Sequence, residues 1–234
     1  MIKQKKIGII ASLVAVLLFG QVNAADVQSA PANTSKAQQN LPKIVSNQRF
    51  ERISSAHAVA LSQFHYGKIP LDDQLSERVY SLYVNSLDPQ RVYFLESDIN
   101  QFDKHKFLFD DYLRKAELRF PFQMYNTLIQ RLDERQTAIN RILDQDFDFT
   151  LDDEILINRK DEPYAKTAQE LDDIWYQRIK NELITLMVSD EELSLEDAKA
   201  KLKKRYASRH ERLMQVDVDD IFEIYMNTVA LAFD

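Results

Sequence analysis

From Asn47 onward, apolar side chains return every three or four residues, the spacing that lines one face of an α-helix. Phe50, Ile53, His57, Leu61 and Phe64 form the first such stripe, and Gly67 and Pro70 stop it. Leu75, Val79, Leu82 and Tyr83 predict a second helix from Asp73 to Leu87, ended at Asp88-Pro89. Ser97 offers an N-cap for a third, carrying Ile99, Phe102, Phe109, Tyr112 and Leu113. Pro121 suits the first turn of a long fourth, with Phe122, Tyr125, Leu128, Leu132, Ile139, Ile142 and Leu143.

Between Asp144 and Lys166 the period fails, and Phe147, Phe149, Ile155 and Ile157 are expected to pin a long connection to the surface. Thr167-x-x-Glu170 reads as a capping box opening a fifth helix with Leu171, Ile174, Trp175, Ile179, Leu183 and Leu186. Ser194-x-x-Asp197 resembles the same device for a sixth. Asp217 caps a seventh, holding Ile221, Phe222, Tyr225 and Val229. No segment alternates apolar and polar residues long enough for a sheet. The expected fold is all-α, about seven helices in a bundle or in stacked helical hairpins.

Composition narrows the chemistry. The 234 residues contain three glycines, and after the first twenty residues only Gly67 remains. Phosphate loops, nucleophile elbows and tight hairpins need glycine, because only a residue without Cβ takes positive φ cheaply. Rossmann, P-loop and α/β-hydrolase chemistry are excluded. With no cysteine there is no disulfide, no thiolate zinc site and no thiol nucleophile.

The first residues read as an address. Lys3, Lys5 and Lys6 precede an apolar run from Ile7 to Phe19, and Val22-Asn23-Ala24 offers a small-residue cleavage site. Residues 1–24 are therefore expected to be a signal peptide, with an uncleaved membrane anchor as the alternative. Cleavage would remove those three lysines and take the net charge from −7 to −10. Residues 25–46 lack aromatics and any apolar period, so they are expected to form a flexible linker. The remainder, 47–234, would be the helical domain.

Few residues announce chemistry. Asp144, Asp146 and Asp148 imitate the opening of a calcium loop, but Phe149 stands where the sharp turn needs glycine and Ile155 where a bidentate glutamate belongs. His57, His65, His105 and His210 are scattered without a metal-ligand spacing. Asp217, Asp219, Asp220 and Glu223 crowd a helix start, where the macrodipole favours negative charge. Lys199, Lys201, Lys203, Lys204, Arg205, Arg209 and Arg212 form a basic stretch around Tyr206. It is read as a solvated face balancing Glu196, Asp197 and Glu211 through i,i+4 pairs, and nucleic acid is not an expected partner of so acidic a chain. No serine or lysine has a neighbour that would activate it. No catalytic, cofactor-binding or metal-binding residue is assigned, and no cofactor is expected.

A set of clusters nevertheless carries a resemblance. They are Leu87-Asp88-Pro89-Gln90-Arg91-Val92-Tyr93-Phe94-Leu95 with Asp98-Ile99; Asp146-Phe147; Glu170-Leu171 with Trp175, Arg178, Lys180, Glu182 and Leu183; Lys204-Arg205-Tyr206; and Asp220-Ile221-Phe222. In this order the chain resembles the N-terminal helical domain of tail-specific (carboxyl-terminal processing) proteases, exported serine endopeptidases of bacteria. The resemblance implies the bacterial periplasm, with inner-membrane association should the leader persist. It places the PDZ domain and the serine–lysine dyad beyond Asp234, in a part this chain does not contain. Protein substrates with apolar C-termini, met through those absent regions, and an adaptor protein are the implied partners.

Two roles follow. One is an N-terminal scaffold that docks substrate or adaptor for the protease and lacks the dyad itself. The other is a free-standing periplasmic helical protein-binding module. The first expects an apolar patch around Val229, Leu231 and Phe233; the second expects those residues covered.

Overall fold

The computed structural model describes residues 44–151 and 153–234. The expected signal peptide and most of the expected linker lie outside them. Ile44, inside that linker, is held by Asn126, whose side chain accepts from the Ile44 N–H at 3.0 Å and donates to its carbonyl at 2.8 Å.

Eight α-helices occupy the described residues: α1 Gln48–Phe64, α2 Asp73–Leu87, α3 Glu96–Phe102, α4 Phe109–Lys115, α5 Arg119–Leu143, α6 Ala168–Ser189, α7 Leu195–Met214 and α8 Val218–Ala232. No strand occurs among these residues, so the fold is all-α as expected. The Leu95–Ala165 bridge is an isolated pair.

The caps explain most boundaries. Asp72 accepts from the Gln74 and Leu75 N–H groups, Thr167 from Glu170, Ser194 from Asp197 and Asp217 from Asp220. In the Thr167 cap, however, the Glu170 carboxylate reaches past Thr167 to the Lys166 N–H at 2.7 Å.

The expected third helix is instead two. A 3-10 turn, Asp103–His105, separates α3 from α4. Phe102 and Phe109 both pack edge-on against Phe120, at 6.3 and 6.2 Å between centroids. Nor is Ser97 the cap: Leu95 occupies that position, and the Asp98 carboxylate accepts its N–H at 2.9 Å.

α5 joins two cores. Toward its N-terminal end it meets α8, on which α1 and α2 pack, with α4 packed against both α1 and α2. There Phe50 stacks on Phe222 at 4.5 Å, and Tyr83 meets Tyr225 edge-on at 5.3 Å while its hydroxyl donates to the Pro121 carbonyl. Each such aromatic pair adds about 1 kcal/mol beyond its buried area. Toward its C-terminal end, Ile139, Ile142 and Leu143 pack with Trp175, Ile179 and Leu183 of α6 and Leu202 and Tyr206 of α7.

Val229 and Phe233 are fully covered, while Leu231 is 47% exposed. The patch expected at all three is thus absent at two of them, because α8 turns those side chains into its own core. The large apolar exposure near this end belongs to Phe64 and Tyr66, at 81% and 84%; His65 between them lies edge-on to Phe233.

Gly67 does not take positive φ. Among the described residues the left-handed positions are Lys68, Arg91 and Ala116. Of the four residues expected to pin the long connection, Phe147 is buried and Ile155 half-buried, but Phe149 and Ile157 face solvent. The remaining anchoring is polar.

Candidate functional site

That polar anchoring begins where α2 ends. Asp88 is buried and accepts three backbone N–H groups, from Val92 at 3.0 Å, Tyr93 at 2.9 Å and Phe94 at 3.0 Å. Burial pushes the Asp88 carboxyl up, and the three donors pull against that shift. The loop so fixed reaches across to the long connection. Gln90 accepts from the Arg159 N–H at 3.0 Å, Arg91 donates to the Glu162 carbonyl and lies 5.3 Å over the Tyr164 ring, and Glu96 donates to the Ala165 carbonyl at 2.8 Å. The Val92 carbonyl accepts from Trp175 Nε1 at 2.7 Å, tying the loop to α6.

Trp175 is the centre of a dense group. Arg178 lies 5.2 Å and Arg135 6.0 Å over its ring, and Tyr93 and Tyr206 pack against it at 5.8 Å each. Between α6 and the connection, a cavity of about 400 Å³ opens, lined by Ile155, Leu156, Arg159, Ile174, Tyr176 and Arg178 among others. A second hollow of about 370 Å³ lies over the start of α2. Within it Arg114 pairs with Asp110 at 2.9 Å and with Asp111, and Asp72 accepts from the helix N–H groups.

The residues singled out by sequence scatter. Asp144 pairs with Lys203, and Asp148 accepts from Thr150 twice, which holds its carboxyl below the usual range. His105 stacks on Phe120 at 3.7 Å and bonds to the Tyr112 hydroxyl; His65 lies 3.6 Å from Asp234, and His210 3.3 Å from Asp133. Burial holds the His57 and His105 imidazoles below 6.5. Among the described residues no three His, Asp or Glu side chains come together as a metal site, and no helix is long and apolar enough to cross a membrane.

Four members of the basic stretch on α7 are paired, largely outside their own helix. Lys199–Glu196, at 3.3 Å, is the local pair. Lys201 reaches Asp190, Lys203 reaches Asp144, and Arg205 and Tyr206 both reach Glu182. These pairs fasten α7 to α6 and to the end of α5, so the expected i,i+4 balance is replaced by tertiary pairing. Lys199 itself is buried, 5.7 Å over Phe147.

Sequence reasoning did not mark Arg159, or Arg178 as a cavity residue. The signal available for Arg178 was its place one turn after Trp175 on the same helix face. Arg159 had none, since its position depends on the Gln90 contact.

The model of the family described as tail specific protease N-terminal domain matches residues 57–234. The chain is 36% identical over 175 residues to the tail-specific protease of Haemophilus influenzae (strain ATCC 51907 / DSM 11121 / KW20 / Rd). That alignment covers 74% of this chain and 25% of the relative, so the chain spans about a quarter of that protein's length. On the match across three quarters of its residues, the chain belongs to the tail-specific protease N-terminal domain family.

Proposed function

We propose that the chain serves as the N-terminal scaffold and docking domain of a periplasmic tail-specific serine endopeptidase and supplies no part of the Ser-Lys dyad. The observation carrying this reading is how the buried amines are held. Lys180 and Lys199 are both buried, and their partners are the carboxylates of Asp153 and Glu196. A serine–lysine dyad needs the amine beside a serine hydroxyl, and the hydrogen-bond partner of each of these amines among the described residues is a carboxylate. Exposed Phe64 and Tyr66 supply apolar surface suited to a protein partner.

The burial of Val229 and Phe233 favours the second reading, a free-standing periplasmic binding module, on one point: two of the three apolar residues at the end of the chain are already covered, and only Leu231 is exposed. Purified chain and the full-length Haemophilus relative, each given a peptide with an apolar C-terminus, test the catalytic half. The relative is expected to cleave and the chain to leave the peptide intact; turnover by the chain overturns the proposal. Supplying the chain in trans to the relative shorn of its N-terminal quarter separates the two roles. Restored cleavage of a protein substrate supports the scaffold, and no restoration supports the module. Export is read from the mass of the cell-derived product, expected to begin at Ala25 and to leave with the periplasmic fraction.

A further inference from the structure

Residues 53–67 contain no Asp, Glu, Lys or Arg, the longest such run among the described residues, in a chain that is 29% charged. Most of the run lies on α1. That helix buries one face, Phe50, Ser54 and Ala58, chiefly against α4 and α8. Its outer face is open: Ile53 is 42%, Val59 48% and Phe64 81% exposed, and Ala56, Ala60 and Gln63 are exposed with them. At 3.6 residues per turn these positions share one arc of about 140°. A surface helix ordinarily turns charged residues outward, so a helix apolar on both faces is suited to being covered twice.

Charge and shape say what covers it. The run offers no counter-charge to a charged partner, so the matching face is uncharged as well. Two copies of this chain, each carrying −7, repel one another, and the outer face of α1 is where that repulsion is least. The face also matches itself. With two α1 helices antiparallel and the two-fold axis beside residue 58, Ile53 meets the partner's Phe64 on one side of the seam. Val59 meets the partner's Ala56 on the other, so a larger side chain lies against a smaller one at both contacts. A parallel pair would instead set Arg49 and Arg52 against their own symmetry mates, and like charges so placed oppose association.

We infer that the outer face of α1 is a homodimer surface, on which two copies pack antiparallel through Ile53, Ala56, Val59, Ala60 and Phe64. A single helix pair about 25 Å long gives a small interface, about 1,000 Å² in total, so the dimer is expected to form in the micromolar range. The inference rests on the docking reading above only in assigning the Phe64 surface to a protein partner. Its test reads mass and not cleavage, so the two can fail separately.

Sedimentation equilibrium of the purified chain across the micromolar range is that test. A concentration-dependent rise from monomer to dimer mass, with no larger species, is expected. F64E and V59E each change an exposed side chain and should weaken the dimer at least tenfold with an unchanged circular dichroism melt. Ile53 and Phe64 lie roughly 16 Å apart along one helix, too far to pair, but meet across the two-fold axis. I53K should therefore also weaken the dimer, and the I53K/F64E double variant should restore it through a lysine–glutamate pair between copies. A chain that stays monomeric throughout, an undiminished dimer in folded F64E and V59E, or a double variant no stronger than either single overturns the inference.

Discussion

Asp98 and Arg131 face each other through two parallel hydrogen bonds, Arg131 Nε to Oδ2 and Nη2 to Oδ1, both 2.8 Å. The same carboxylate caps α3 through the Leu95 N–H, so one side chain both starts a short helix and fixes it to α5. The bond to Asp98 raises the Arg131 pKa above its ordinary value.

Removing one partner of so covered a pair leaves the other without its counter-charge. D98A is expected to lower unfolding free energy by about 3 kcal/mol, and R131M by a similar amount. In urea denaturation the double variant should lose clearly less than the sum of the singles. Additive losses would show that the pair does not act as a unit.

Trp175 is the single tryptophan, and it is 1% exposed. W175F removes the donor to the Val92 carbonyl and leaves a void, at a cost of about 3 kcal/mol. In the unsubstituted chain, tryptophan fluorescence reports the core around α6 and α7, whereas helical circular dichroism reports all eight helices. Because α5 runs through both cores, the two urea transitions should coincide. Separate midpoints would mean that the cores unfold independently.

The imidazoles of His57 and His105 give the pH dependence. Their folded pKa values lie below 6.5, by burial for both and additionally by Lys104 for His105. Just below 6.5 the unfolded chain therefore binds more protons than the folded one, so this stability is fully present above 6.5 and is lost as pH falls. The melting temperature should drop between pH 7.5 and 5.5, and the H57N/H105N double variant should show a shallower drop. An equal slope in both would assign the dependence to other groups.

Ala116 ends α4 at φ 57°, with the Glu117 N–H bonded to the Tyr112 carbonyl at 2.8 Å. This left-handed cap is one that glycine usually fills. Relief of the Cβ clash exceeds the added unfolded-state entropy of glycine, so A116G is expected to stabilise the chain by about 0.5 kcal/mol. A116V should destabilise it by at least that much. Thermal melts of the two variants give the order directly.

Helix type, most helix starts and the apolar stripes were legible in the sequence, because they follow from contacts within three or four residues. Thr167, Ser194 and Asp217 cap helices through bonds to the third residue onward, and each stood where local chemistry put it. The all-α class follows from the same period. What local spacing could not reveal was where distant segments meet. The 3-10 turn at Asp103–His105 lies between Phe102 and Phe109, which share the Phe120 ring, and Asp88 reads as a helix stop until its carboxylate is seen holding three N–H groups of the following loop. Gln90 holds the Arg159 backbone across 69 residues of chain, a contact no local spacing announces. Sequence determined which segments would coil and which faces would be buried, since those are properties of neighbours along the chain. Tertiary structure alone decided which charges found partners, since ion pairing depends on distances that only the folded packing sets.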